Sequence, residues 1–131
     1  MNELTELTAA AVYAEAWNRL DASELIELLG PETVYESQWV FAALEGKEAV
    51  AEYLCGKMAT LRAAGDPAKV RAELGRTTRG FPDRACVILT QGHANDVTAV
   101  MLFEVAGPHI KRMDLCIPDL LSPVGSGEVP V

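Results

Sequence analysis

The spacing of apolar residues changes period once along this chain, and that change limits the available folds more than any other feature. As far as Gly65-Asp66-Pro67 the apolar residues recur mostly at helical intervals; beyond it they alternate. Leu4, Leu7, Ala11 and Ala14 form one stripe, and Tyr13, Ala16, Trp17 and Leu20 an adjacent one. Together they predict a helix over 4–20 with an apolar face wide enough to lie across a sheet. Asp21 followed by Glu24 resembles a capping box, which starts a second, short helix at 22. Its Leu25, Leu28 and Leu29 point inward, and Gly30-Pro31 ends it. Val34 to Phe41 reads as a strand, with Tyr35, Ser37 and Trp39 on one face and Glu36 and Gln38 on the other. A third helix follows Gly46, carrying Val50, Leu54, Met58 and Leu61 at near-fourfold spacing.

The second half reads as a meander. Val70, Ala72 and Leu74 alternate with Lys69, Arg71 and Glu73, a half-exposed strand. Gly80-Phe81-Pro82-Asp83 is turn chemistry. Residues 85–90 are apolar on both parities, as in a central strand covered on both sides. Gln91 to Asp96 reads as a loop, and strand 97–105 pairs with strand 109–117 through Ala106-Gly107-Pro108. Pro118 closes the last strand, and the aperiodic residues 118–131 are expected to form a mobile tail. The expected architecture is one α+β domain over 1–117: three N-terminal helices packed on a strongly curved, mainly antiparallel sheet. Such a sheet folded around a helix leaves a cone with one open end, a place for a ligand.

Composition narrows the function classes. A chain of 131 residues, 50% of them hydrophobic, supports one well-formed core. The net charge of −8 argues against a nucleic-acid partner, because phosphate binding needs a cationic surface. All of that excess lies in residues 1–48, which hold ten acids and two bases. A solvated helical face is the plain account of it, ahead of an acidic docking surface. No apolar run approaches a membrane span; the tightest is Ala85 to Leu89. The N-terminus shows no export signal, and Cys55, Cys86 and Cys116 form no CxxC pair, so a reduced, cytoplasmic protein is expected. His93 and His109 have no companion ligands at metal-binding spacing, so neither a metal nor an organic cofactor is expected. Lys69, Arg71, Arg76, Arg79 and Arg84 read as a charged sheet edge that discourages strand addition.

Three stretches, in their order, carry a family resemblance: Tyr13-Ala-Glu-Ala-Trp17-Asn-Arg-Leu-Asp21, Leu28-Leu29-Gly30-Pro31-Glu32-Thr33-Val34-Tyr35, and Leu44-Glu45-Gly46-Lys47-Glu48-Ala49-Val50. Over residues 5–117 the chain resembles the nuclear transport factor 2-like superfamily, most of all its SnoaL-like polyketide cyclase and steroid delta-isomerase branch. The resemblance implies a cone-shaped fold with an interior pocket for a small hydrophobic molecule, and a homodimer packed through the outer sheet face. It implies isomerase, cyclase or dehydratase chemistry on a hydrophobic carbonyl compound, or a non-catalytic scaffold with a filled cone. Tyr13 falls where the steroid isomerases carry an oxyanion donor. Ser37 and Met101 stand where those enzymes carry acids, which removes their mechanism. Asp114 stands where the cyclases carry an acid on the last strand, which makes it the candidate base. Epoxide hydrolysis lacks its second inward acid, since Val97, Ala99, Met101 and Phe103 take the inward positions.

Two readings of the last strand stay open. Arg112, Asp114 and Cys116 share one face, and Lys111, Met113, Leu115 and Ile117 the other. Taken from the residues alone, the apolar side is core and the charged side meets solvent. Taken from the resemblance, Arg112 and Asp114 line the cone, with Asp114 ionised beside the guanidinium, and a second subunit covers Met113. Even inside the cone, the pair could be a structural ion pair instead of a catalytic one. The candidate site is then Asp114 and Tyr13 for catalysis, with Trp17, Tyr35, Ser37, Trp39, Met101, Phe103 and Arg112 as ligand contacts. The four aromatics Tyr13, Trp17, Tyr35 and Trp39 serve equally as core.

Overall fold

The structure is a computed structural model that describes residues 3–39, 42–65, 70–80, 83–91 and 98–131. Helix α1 spans Glu6–Arg19, opened by the Thr5 hydroxyl accepting from Thr8 N at 3.1 Å and closed at Leu20 in the left-handed region (φ 54°). The short helix α2, Ser23–Glu27, begins after Asp21, whose carboxylate accepts from Ser23 N and Oγ. No reciprocal bond from Glu24 is needed to start it. Strand β1 covers Leu29–Ser37 and β2 Leu44–Glu45; Gly46 then turns the chain (φ 96°) into α3, Lys47–Ala64. The remaining strands are β3 Val70–Arg76, β4 Ala85–Gln91, β5 Ala99–Ala106, β6 His109–Cys116 and β7 Val124–Gly125.

The strands form a single curved sheet in the order β2-β1-β6-β5-β4-β3-β7. All pairs are antiparallel except β1 with β6. The expected α+β class, with three helices packed on a mainly antiparallel sheet, is what the chain forms. Tyr13, Phe103, Leu54, Met101 and Met113 are buried in one core between the helices and the concave face. Their β5 neighbours Val100 and Leu102 belong to a second cluster on the convex face, with Cys86, Ile88, Cys116 and Leu121. The both-parity apolar run of β4 is thereby explained, since each face has its own cover.

Two boundaries depart from the sequence reading. Strand β1 starts at Leu29 rather than Val34, and ends at Ser37. Gly30-Pro31, read as a helix stop, lies within the strand, where the register against β6 slips between Leu29 and Val34. Buried Thr33 holds this irregularity: its hydroxyl accepts from Gly30 N at 2.7 Å and donates to Ile110 O at 2.6 Å. A β-bulge also lies in β6, where Glu104 faces Arg112 but Val105 faces Ile110, leaving Lys111 as the extra residue.

The larger departure concerns residues 118–131. Pro118–Leu120 makes a 3₁₀ turn, Leu121 is buried on the convex face, and β7 pairs with β3. Further along, Leu74 N donates to Glu128 O, and Asn18 Nδ2 donates to Pro130 O at 2.6 Å. The segment expected to be a mobile tail is thus bonded along the edge of the sheet. Its composition hid this, because backbone pairing to an edge strand needs no apolar periodicity. The loop from Gln91 to Asp96 and the Phe81-Pro82 turn fall largely outside the described residues. No helix is long and apolar enough to cross a membrane, among the described residues.

Candidate functional site

A cavity of about 310 Å³ opens on the concave side of the sheet, among α1, α3 and the ends of several strands. It lies at the lower end of the size range for small-molecule chambers. Helix α1 contributes Tyr13 and Trp17, one turn apart, because the 3.6-residue repeat puts both on the sheet-facing stripe. Helix α3 contributes Tyr53, Leu54, Lys57 and Leu61 by the same spacing. Tyr35 enters from β1, Trp39 from the turn after it, and Val70, Leu89, Ala99 and Leu115 floor the space from the sheet. Thr90, Gln91 and Thr98 add polar atoms.

The aromatic contacts fix the wall. Tyr13 meets Phe103 edge-on, with ring centroids 5.3 Å apart, and Trp17 at 6.2 Å. Tyr35 and Tyr53 lie 5.1 Å apart at a 36° tilt. Burial pushes the Tyr13 hydroxyl far above the usual phenol range. The Trp17 indole N–H, buried and close enough to oppose part of that rise, makes no hydrogen bond of good geometry among the described residues. Burial likewise raises Tyr35, and Tyr13 and Tyr53 add to it. Tyr13 and Tyr35 are therefore neutral donors at any ordinary pH.

Four of the nine residues singled out from sequence line this cavity: Tyr13, Trp17, Tyr35 and Trp39. Phe103 and Met101 are fully buried behind the wall as core. Ser37 is buried at the end of β1, where its hydroxyl accepts from Trp39 N at 3.2 Å and so positions the tryptophan. Arg112 and Asp114 are not in the cavity at all. They project from the convex face, where Arg112 pairs with Asp114 at 2.8 Å and with Glu36 at 2.5 Å. Met113 and Leu115, the other parity, pack with the core. The reading taken from the residues alone is therefore the correct one for this strand, and the orientation implied by the resemblance is overturned. The ion pairs hold Arg112 charged, but all three side chains are a third or more solvent-exposed or nearly so, and such pairs contribute about 0–1 kcal/mol.

Sequence reasoning missed Tyr53 and Lys57. Both flank the Leu54-Met58 stripe of α3, and their helical offsets from Leu61 were available as a signal. Among the described residues, no three His, Cys, Asp or Glu side chains are gathered as metal ligands.

No family model matches the sequence, and no curated protein matches it. Solved structures do resemble the chain. A SnoaL-like protein of unknown function from Burkholderia thailandensis matches with TM-score 0.59 and 16% identity, over 88% of this chain and 98% of that one. An NTF2-like protein of unknown function from Mesorhizobium loti matches with TM-score 0.58 and 17% identity, over 87% and 94%. The chain has the NTF2-like fold. A third structure with this fold, a Sinorhizobium meliloti protein provisionally designated a polyketide cyclase, matches with TM-score 0.56 and 22% identity, over 80% and 90%. In the NTF2-like frame the cavity is the space enclosed by the curved sheet and its covering helices. At these identities the likeness describes backbone architecture, and the chemistry has to be read from the side chains.

Proposed function

We propose that this protein binds a small, mainly apolar molecule in the cavity of its cone, with the Tyr13 hydroxyl donating to an oxygen of the ligand. The observation that carries this reading is the composition of the wall: aromatic and aliphatic side chains around about 310 Å³, with Tyr13 and Tyr35 kept as neutral donors. A filled scaffold cone fits that volume less well. The neighbour provisionally designated a polyketide cyclase supports a carbonyl-bearing ligand of cyclic or polyketide type. Turnover of such a ligand by isomerisation, cyclisation or dehydration would place developing negative charge on the oxygen held by Tyr13. Asp114 takes no part, since it lies on the opposite face of the sheet. No carboxylate or imidazole stands among the described residues of the wall, so binding rather than proton abstraction is the proposed role.

Native mass spectrometry of protein purified gently from its natural source tests the reading. The expected spectrum contains an adduct of small-molecule mass that is lost in Ala99→Phe, a substitution that fills the cavity from its floor. A ligand-free spectrum, or an adduct that persists in the filled variant, would overturn it.

A further inference from the structure

The cavity is polarised in a way that says more about its ligand, provided the binding role proposed above holds. Its described charged lining consists of one side chain, Lys57. Lys57 lies one turn from both Leu54 and Leu61 and is itself exposed, bordering both the cavity and an outer groove beside Tyr53 and Thr60, so it stands at the cavity's rim. The chain carries 19 acids against 11 bases, and most of its described cations are engaged. Arg19, Arg71, Arg76, Arg84 and Arg112 each pair with a carboxylate, and Arg62 donates to the Leu20 carbonyl. Lys57 has no such partner among the described residues. Of the other polar groups at the cavity, the phenols of Tyr13, Tyr35 and Tyr53, the hydroxyls of Thr90 and Thr98 and the Gln91 carboxamide can all donate, and the N–H of Trp17, without a partner among the described residues, can only donate. Carboxylate side chains, which would welcome an amine, are missing from the described wall.

We infer that the ligand is an apolar organic anion, with its ring system among the aromatics and its acidic group paired with Lys57 at the mouth. The groups of the wall that can only donate, the Lys57 ammonium and the Trp17 N–H, are complementary to acceptor oxygens, and leaving them unmet on binding would cost affinity. A cationic or amine ligand would bring its own donors against them. The selectivity therefore comes as much from rejection as from attraction.

Two probes that share an anilinonaphthalene skeleton and differ by one sulfonate test this on the full chain: 8-anilinonaphthalene-1-sulfonate and neutral N-phenyl-1-naphthylamine. Both tryptophans of the chain, Trp17 and Trp39, line the cavity, so energy transfer from tryptophan reports bound probe, and its loss in Ala99→Phe assigns that probe to the cavity. The anionic probe is expected to bind about fivefold tighter than the neutral one. Lys57→Met should remove that advantage, bringing the two probes to equal affinity, and Lys57→Glu should reverse it. Raising salt should weaken the anionic probe alone. Equal affinities in the unaltered chain, or a Lys57→Met variant that still prefers the anion, would overturn the inference and leave the cavity's binding role standing. Failure of both probes to receive energy from tryptophan would overturn the binding role itself.

Discussion

The two faces of the sheet use similar apolar residues and are covered differently. On the concave side Met101, Phe103 and Met113 meet α1 and α3, and a cavity remains beside them. On the convex side Ile88, Val100 and Leu102 meet Leu121 from the returning chain, and they are closed off almost completely. A helix is a stiff cylinder about 10 Å across, so two of them laid over a curved floor touch it along lines and leave space where the floor bends away. An extended segment has no such stiffness and follows the surface it bonds to. Gly75 shows how close that approach is: a Cβ there would come within 2.7 Å of Val124 O. A pocket lined by Glu36, Gln38, Leu102, Asp114 and Cys116 also opens on the convex side, so what the covering helices determine is the aromatic-walled, mainly apolar character of the concave hollow.

The strongest way to break this picture is to remove a large side chain from the closed part of the concave core. Phe103→Ala should destabilise the protein by about 3–5 kcal/mol in chemical denaturation, since Phe103 is fully buried against Tyr13. A loss below about 1 kcal/mol would mean that the cavity extends to this point. On the convex face, Leu121→Ala should cost about 2–4 kcal/mol. Truncation after Ile117 should expose the same cluster and make the chain self-associate, as read by light scattering. A truncated chain that stays monomeric and equally stable would show that the last fourteen residues do not close this face.

Smaller effects sharpen the contrast. Asp114→Asn should change stability by less than about 1 kcal/mol and leave probe binding in the cavity unchanged, because this ion pair is about a third exposed and lies beside the convex cluster, away from the cavity. A large loss of binding would return Asp114 to the site. Thiol chemistry separates the faces further: a disulfide reagent at mildly alkaline pH should modify exposed Cys55 quickly, and Cys86 and Cys116 only as the protein unfolds. Burial pushes the Cys86 thiol up to about 11. Its protonated form is therefore favoured by folding, so that this part of the stability is complete below the ordinary thiol range and is lost as pH rises towards about 11. Cys86→Ala should flatten the alkaline limb of the stability profile.

Much of the cavity wall could be read without coordinates. The stripes of α1 put Tyr13 beside Trp17, and strand alternation put Tyr35 on the inward face. Tyr53 and Lys57 were equally accessible and were passed over because Leu54 and Met58 already accounted for the helix. Arg112 and Asp114 could be assigned to a common face, but not to the outer one. Deciding that required Lys111 to be the bulged residue that brings Ile110 and Met113 to the same side.

The order of the three helices and five longer strands, and the grouping of residues that share a face wherever no bulge intervenes, were determined by the sequence itself, because helix and strand periods are properties of the local backbone. Three things were left to the tertiary structure: which face of β6 meets the core, how the last residues close the convex side, and where covering helices part from a curved floor. Each depends on contacts between segments distant in the chain, where a single extra residue or one returning strand changes the outcome without altering any local pattern.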